Sequence, residues 1–328
     1  MKSKRKVLIL GGTEFVGRQI VEKLLRDKTN DIYLFNRGKT NIELFPEIKR
    51  IKGDRETNDI EKINQYKWDY IIDFSSYFPK SLKQTLQNIN KDVKKYIYIS
   101  TISVYSFKDY DFTHKIAEDF TKKNYVDEQL IEPSLQFYGE KKSACEDILN
   151  DTSWLNSIIL RPSIIYGKYD PTDRLYYWID RIKKRKKIIL PENGKHLISL
   201  SYSSDLVEII LKCLDSELTT GTYNCVSDKP LKFREILEEI KKELQSNCEF
   251  KPIDSDKLKE EKLSAKEFPF WWGANITIDN SKLKSVLDFE FTSIENSIKP
   301  TIEYYANQGW KKPKLGISFE EEDKLLKK

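Results

Sequence analysis

The feature that most narrows how this chain can fold is a strand-to-helix turn at its start, Val7-Leu8-Ile9-Leu10-Gly11-Gly12-Thr13-Glu14-Phe15-Val16-Gly17. An apolar run, Val7 to Leu10, lies between charge and glycine, the pattern of a parallel strand buried on both faces. Phe15, Val16, Ile20, Val21, Leu24 and Leu25 then recur at helical spacing. Such a turn aims backbone N–H groups and the positive end of a helix at one point, which suits a pyrophosphate. Gly11 is expected to adopt backbone angles closed to other residues, Gly12 to let a ligand approach, and Gly17 to bring helix and strand close. Glu14 stands where the usual glycine spacing has its middle glycine. A βα turn without a ligand would carry the same glycines.

The following residues keep the alternation going. Strands are expected at Ile32 to Phe35, Lys49 to Ile51, Trp68 to Phe74, Tyr96 to Ser100 and Ser157 to Leu160, with helical patterns at Glu61 to Gln65, Ser81 to Asn90 and Tyr138 to Leu149. That order implies an α/β fold: a doubly wound parallel sheet with its ligand crevice at the carboxyl ends of the strands. Asn36, Arg37, Asp54, Ser75, Tyr77 and Thr101 all follow strands. An acidic residue at the second strand end would bind ribose hydroxyls, but here Arg37 stands, with Lys39 or Arg18 to help. This favours NADP(H), with NAD(H) as the alternative; a solvated turn would look the same. Asp54 is expected to face the adenine. Residues 106 to 134 are polar and read as a long loop or lid with marginal helix. We therefore expect a dinucleotide-binding domain over 1–161, rejoined by about 200–227, and a smaller mixed α/β substrate lobe interleaved within 162–328. In that lobe, helices are expected at Arg174 to Lys184, Asp205 to Leu214, Phe233 to Leu244 and Ser293 to Tyr305.

Composition excludes several classes. The chain has 328 residues, 39% hydrophobic and 33% charged, with 57 Lys+Arg against 52 Asp+Glu. The excess of +5 is spread along the chain, and the densest basic run, Lys183 to Lys187, reads as a solvated helix end rather than a polyanion site. Cys145, Cys213, Cys225 and Cys248 form no C-x-x-C pair, so free thiols in a reducing cytoplasm are expected. With only His114 and His196 present, no metal site is expected. The basic start, Met1 to Lys6, precedes a first strand rather than a signal peptide, and no run reaches membrane-spanning length.

Tyr138 and Lys142, four apart, share one helical face. An ammonium beside a phenol favours phenolate, and a phenol so tuned can exchange the proton of a carbinol while hydride moves. With the glycine turn, Ser100-Thr101-Ile102-Ser103-Val104-Tyr105 and Arg161-Pro162-Ser163-Ile164-Ile165-Tyr166-Gly167, this pair resembles the extended short-chain dehydrogenase/reductases of the NAD-dependent epimerase/dehydratase group. Tyr202-Ser203-Ser204-Asp205-Leu206 and Gly221-Thr222-Tyr223-Asn224 look like later landmarks of that family. The resemblance implies Tyr138 as acid/base, Lys142 on the nicotinamide ribose while lowering the Tyr138 pKa, and Thr101 on the reacting oxygen. It implies a cofactor set of Gly11, Gly12, Thr13, Glu14, Phe15, Val16, Gly17, Asn36, Arg37, Lys39, Asp54, Ser75, Ser100, Tyr138, Lys142, Pro162 and Ile164. Tyr77, Thr101, Ser103 and Arg174 would meet substrate; Arg174 or Arg181 could meet a phosphate, or, as arginines on a helix surface, simply water. Trp178, Trp271 and Trp272 could stack a base or sugar, or simply pack the lobe.

Ile102 and Ser103 occupy the positions where the family's 4,6-dehydratases carry an Asp-Glu pair, which points away from dehydration. A nucleotide-sugar ketoreductase or 4-epimerase remains, although Ile164 replaces an asparagine common in nucleotide-sugar members. The resemblance also implies a homodimer. A different reading is a nucleic-acid-binding member of the superfamily, since Gly-Gly-Thr-x-Phe-x-Gly and Phe-Asn-Arg-Gly also resemble plastid proteins that bind RNA stem-loops. The small, unclustered charge excess argues against that role.

Overall fold

The computed structural model of the chain describes residues 4–111, 113–218 and 220–327, so the first three residues of the basic start lie outside it. In the first half, β1 (Arg5–Leu10), α1 (Phe15–Leu24), β2 (Asn30–Asn36) and β3 (Lys49–Lys52) precede a 3-10 turn at Asn58–Gln65. β4 (Tyr70–Asp73), α2 (Pro79–Gln87), β5 (Lys95–Ile99), α3 (Asp127–Ile131), α4 (Tyr138–Asp151) and β6 (Ser157–Pro162) follow. The second half runs β7 (Ile164–Tyr166), α5 (Arg174–Lys184), β8 (Lys187–Pro191), β9 (Leu197–Ile198), β10 (Leu200–Tyr202), α6 (Ser203–Asp215), β11 (Gly221–Cys225), β12 (Leu231–Lys232), α7 (Phe233–Glu243) and β13 (Glu249–Ile253). It closes with α8 (Ser255–Glu260), α9 (Ser281–Val286), α10 (Ile294–Asn307) and α11 (Phe319–Lys327).

Seven strands form one sheet in the order β11-β6-β5-β4-β1-β2-β3, every pair parallel. The expected doubly wound α/β fold is therefore what the chain adopts. Val7 to Leu10 have no exposed surface, and the period-2 alternation of a strand sends them to opposite faces. Val7 and Ile9 pack with Val16, Ile20 and Val21 of α1 and with Leu206 and Ile210 of α6. Leu8 and Leu10 face Trp68, Leu82 of α2 and Cys145 and Leu149 of α4. Chain order reverses between β1 and β4, where such sheets open a crevice at their carboxyl ends.

After β6 the chain passes between two cores. α6 and β11 return to the main sheet, β11 pairing with β6. A second core gathers Trp178, Ile179 and Ile182 of α5, Phe233, Ile236 and Leu237 of α7, and Phe268. Parallel pairs β7–β10 and β8–β13 and the antiparallel pair β9–β12 brace this lobe. α11 docks through Glu322, wholly buried, which bonds Arg181 at 2.8 Å and accepts the Ile189 N–H at 2.9 Å.

Several expectations are corrected. Strand β4 is shorter than Trp68 to Phe74, because Trp68 turns inward and its Nε1 donates to the Ile63 carbonyl at 3.0 Å. The span 106 to 134 is, where it is described, the long loop with marginal helix expected of it, with a 3-10 turn at Phe107–Asp109 and the short α3, but it is fastened to the fold. Lys123 N donates to Val104 O at 2.7 Å, Ser106 N to Thr121 O at 2.9 Å, and Tyr105 bridges Lys122, fastening the segment to the fold. Arg181 is committed to Glu322 and is no phosphate ligand. β13, α8, α9 and α11 carried no clear signal in the sequence. No described helix is long and apolar enough to cross a membrane, and all four cysteines are buried thiols.

Candidate active site

A cavity of about 1400 Å³ opens at the carboxyl ends of the strands, larger than the ~300–1,000 Å³ usual for one small ligand. Every cofactor and substrate residue singled out from the sequence lines it, with the exception of the helper Arg18 and the alternatives Arg181, Trp178 and Trp271. Arg18 is taken up by Glu22, at 2.9 Å, and by the ring of Tyr169, 3.8 Å from its guanidinium carbon. Trp178 is core, and the Trp271 indole donates to Glu192 at 3.0 Å; Trp272 faces the cavity, 41% exposed.

The floor is the glycine turn. Gly11 (φ 110°) and Gly12 (φ 91°) occupy the region closed to L side chains. A Cβ at Gly17 would stand 3.0 Å from the Gly12 backbone, so that glycine permits the close helix–turn approach. The expectation for Gly12 is corrected. Its Cβ would point 2.8 Å from Leu34 Cδ2 and 3.2 Å from Ile9 Cγ2, so its bareness serves core packing rather than ligand approach. Glu14 is the extended N-cap of α1 but makes no side-chain cap, and the first turn holds no acid. The first N–H groups of this ten-residue helix thus face the cavity uncapped, a cradle that fits a phosphate.

Beneath β3 and β4 lies a cluster that sequence reading missed. Asp73, wholly buried at the end of β4, accepts from Arg55 Nη1 at 2.7 Å, from Ser75 N and Ser76 N at 3.0 Å each, and from Tyr96 OH at 2.5 Å. Arg55 also donates to Ser75 Oγ at 3.0 Å and to Thr85 Oγ1 at 2.8 Å. This ties the Asp54 loop to the Ser75 loop. Arg55 follows Asp54 in the sequence and Asp73 ends a hydrophobic strand; a charge inside such a run was the available signal.

Tyr138 opens α4, after Phe137 in a left-handed conformation (φ 57°). Its side chain lines the cavity together with Thr101, whose Oγ1 lies 3.2 Å from Ser103 Oγ. Gly139 lets α4 approach the Ser103 turn, since a Cβ there would stand 2.1 Å from the Ser103 carbonyl oxygen. Lys142, one turn on and wholly enclosed, donates to Ile99 O at 2.7 Å and lies over the Tyr98 and Tyr77 rings at 4.4 and 5.1 Å. Burial pushes the Lys142 ammonium down to about 8, against the pull of nearby Cys145 and Asp73. Enclosure raises the Tyr138 phenol, which Thr101 and Arg174 partly oppose. The lysine aims at the Ile99 carbonyl, and burial penalises both charged forms.

Behind these groups runs a buried polar network. Ser100 Oγ donates to Glu146 Oε1 at 2.6 Å, so its hydroxyl is turned into α4 although the residue lines the cavity. Glu146 takes Arg161 at 2.9 and 2.6 Å; Arg161 reaches Tyr105 OH at 2.9 Å, and Tyr105 donates to Asn224 at 2.7 Å. Thr101's turn, α4, β6 and β11 are thereby held in one register. Among the described residues no group of His, Cys, Asp and Glu could hold a metal.

Residues 7–225 match the NAD dependent epimerase/dehydratase family. The chain belongs to that family. It is 25% identical over 249 residues, 70% of its length, to the Arabidopsis thaliana chloroplast stem-loop binding protein of 41 kDa b, of which the match spans 61%. It is 25% identical over 263 residues to a putative UDP-glucose 4-epimerase of Methanocaldococcus jannaschii, covering 73% of this chain and 82% of that protein. The fold superposes on a UDP-glucuronic acid 4-epimerase from Bacillus cereus in complex with NAD, with a TM-score of 0.72 at 16% identity, over 92% of this chain and 99% of the other.

Proposed function

We propose that this family member is a nicotinamide-dinucleotide-dependent enzyme acting on a carbinol or keto carbon of a nucleotide sugar, as a 4-epimerase or ketoreductase. One observation carries the reading: Thr101, Tyr138 and, one helical turn on, Lys142 share the wall of a cavity floored by an uncapped helix N-terminus. The dinucleotide, when bound, would supply and take back hydride. Gly11 to Gly17 would hold its pyrophosphate, Asp54 and Ser75 its adenosine side, and Lys142, beside Pro162 and Ile164, its nicotinamide ribose.

Thr101 orients the reacting oxygen, and Tyr138 gives or takes its proton. A phenol is protonated near neutrality and enclosure disfavours its phenolate further, which suits proton donation to a carbonyl. We propose NAD(H): the Bacillus cereus relative is an NAD complex. The case for NADP(H) rests on Arg37 and Lys39, both exposed, once Arg18 is withdrawn. Isoleucine and serine at 102 and 103 favour epimerase or reductase over dehydratase chemistry.

Tyr138→Phe tests the assignment. It is expected to retain dinucleotide affinity and lose about 10²–10⁴-fold in turnover, the contribution of one positioned acid/base; unchanged turnover removes Tyr138 from the role. A second reading, RNA binding, is favoured by the similarity to the stem-loop binding protein. Salt-sensitive retention on a stem-loop, with no dinucleotide bound, would support it instead.

A further inference from the structure

Lys123 lines the cavity at its substrate end and was not singled out by sequence reading. Its backbone is held on two sides: Lys123 N donates to Val104 O at 2.7 Å, and Ser143 Oγ of α4 donates to Lys123 O at 3.4 Å. The residue therefore moves with the Thr101 turn and with the helix of Tyr138. Its Nζ lies 2.9 Å from where a Cβ on Gly139, the neighbour of Tyr138, would stand. Its ion pair with Glu140 is long, 3.6 Å, beyond charge-assisted hydrogen-bond distance.

The charges around the cavity divide by end. The lining carboxylates Glu14, Asp54 and Glu56 belong to loops after β1 and β3, the proposed dinucleotide half. The other half carries Lys123, Arg174 and Lys266, and among the described residues no lining carboxylate. Arg174 and Lys266 come from the smaller lobe and suffice for a diphosphate. Lys123 comes from the opposite wall, against the first turn of the helix that Tyr138 opens, where a diphosphate reaching back to the lobe does not need it.

We propose that Lys123 is a specificity residue that binds a carboxylate on the ring carbon next to the reacting carbinol, so that the preferred substrate is a nucleotide hexuronate rather than a neutral nucleotide hexose. The inference rests on the nucleotide-sugar reading above. The ammonium would leave its loose contact with Glu140 for a direct, charge-assisted hydrogen bond, while the ring hydroxyl one carbon away meets Tyr138 and Thr101.

Calorimetry on the NAD-saturated protein tests this with two matched pairs, UDP-glucuronic acid against UDP-glucose and GDP-mannuronic acid against GDP-mannose. The acidic member of a pair that binds is expected to bind about tenfold tighter or more, the scale of one such bond. Lys123→Met, which keeps the stem and removes the charge, should bring that ratio to unity. Glu140→Gln, which removes the competing carboxylate without touching Lys123, should raise it. Equal affinities within a pair that binds, or a preference that survives Lys123→Met, would overturn the assignment and leave the nucleotide-sugar reading standing. If neither pair binds, and UDP and GDP fail too while NAD is held, the nucleotide-sugar reading falls and this inference with it.

Discussion

Gly139→Ala is expected to separate the proposed catalytic pair, Thr101 and Tyr138, while leaving the fold intact. A Cβ at this position would lie 2.1 Å from the Ser103 carbonyl oxygen and 3.0 Å from its carbon. Ordinary carbon–oxygen contacts begin at about 3.3 Å, so helix α4 and the Ser103 turn must part by about 1.2 Å. The lysine ammonium that is also close, Lys123 Nζ at 2.9 Å, can swing aside. The carbonyl cannot, because it belongs to a 3-10 turn (Ile102–Val104) capped by Thr101 itself. Displacing that turn moves the Thr101 hydroxyl away from the Tyr138 phenol. A misplacement of about 1 Å costs about 10²-fold in rate, equivalent to about 2.7 kcal/mol in the barrier. Stability should change far less: overpacking costs about 1–3 kcal/mol. Alanine in place of helical glycine returns about 1 kcal/mol. Thermal denaturation, dinucleotide titration and steady-state turnover on the substrate the wild-type protein converts separate these effects. A folded, dinucleotide-binding Gly139→Ala protein with wild-type turnover would refute the proposed geometry.

The other predictions concern charge. Lys142 is held near 8 in the fold, against about 10.4 in an unfolded chain, so the native state binds fewer protons between those values. Its burial therefore costs about 3 kcal/mol below pH 8, a cost that fades as pH rises toward 10.4. Lys142→Met should flatten that rise in urea-unfolding stability; parallel curves for the two proteins would contradict it. In the free enzyme, kcat/KM should fall as pH climbs through about 8 and the ammonium is lost; a flat profile would count against a charged Lys142. Glu146→Gln strands the buried Arg161 and should cost about 3–5 kcal/mol in chemical denaturation; a loss below about 1 kcal/mol would mean the network holds without its carboxylate. Arg37→Asp should raise the ratio of NADP to NAD dissociation constants, and an unchanged ratio would show that Arg37 does not meet the 2′-phosphate.

What could be read from the sequence was local. The apolar run and glycines of β1 and α1, and the alternation that follows, encode a parallel sheet because burial and backbone sterics act over a few residues. The four-residue spacing of Tyr138 and Lys142 encodes a shared helix face for the same reason. The tertiary structure decided what those residues touch. It turned the bare side of Gly12 toward Leu34, aimed Lys142 at the Ile99 carbonyl, sent Ser100's hydroxyl to Glu146, and withdrew Arg18 to Glu22 and Tyr169. It also joined Arg55 to Asp73 and brought Lys123 beside Gly139, the neighbour of Tyr138, from a polar span with little periodicity. Such partnerships link residues far apart along the chain. Neither propensity nor spacing carries them, because a buried charge takes its partner from whatever the packed core brings within hydrogen-bond distance.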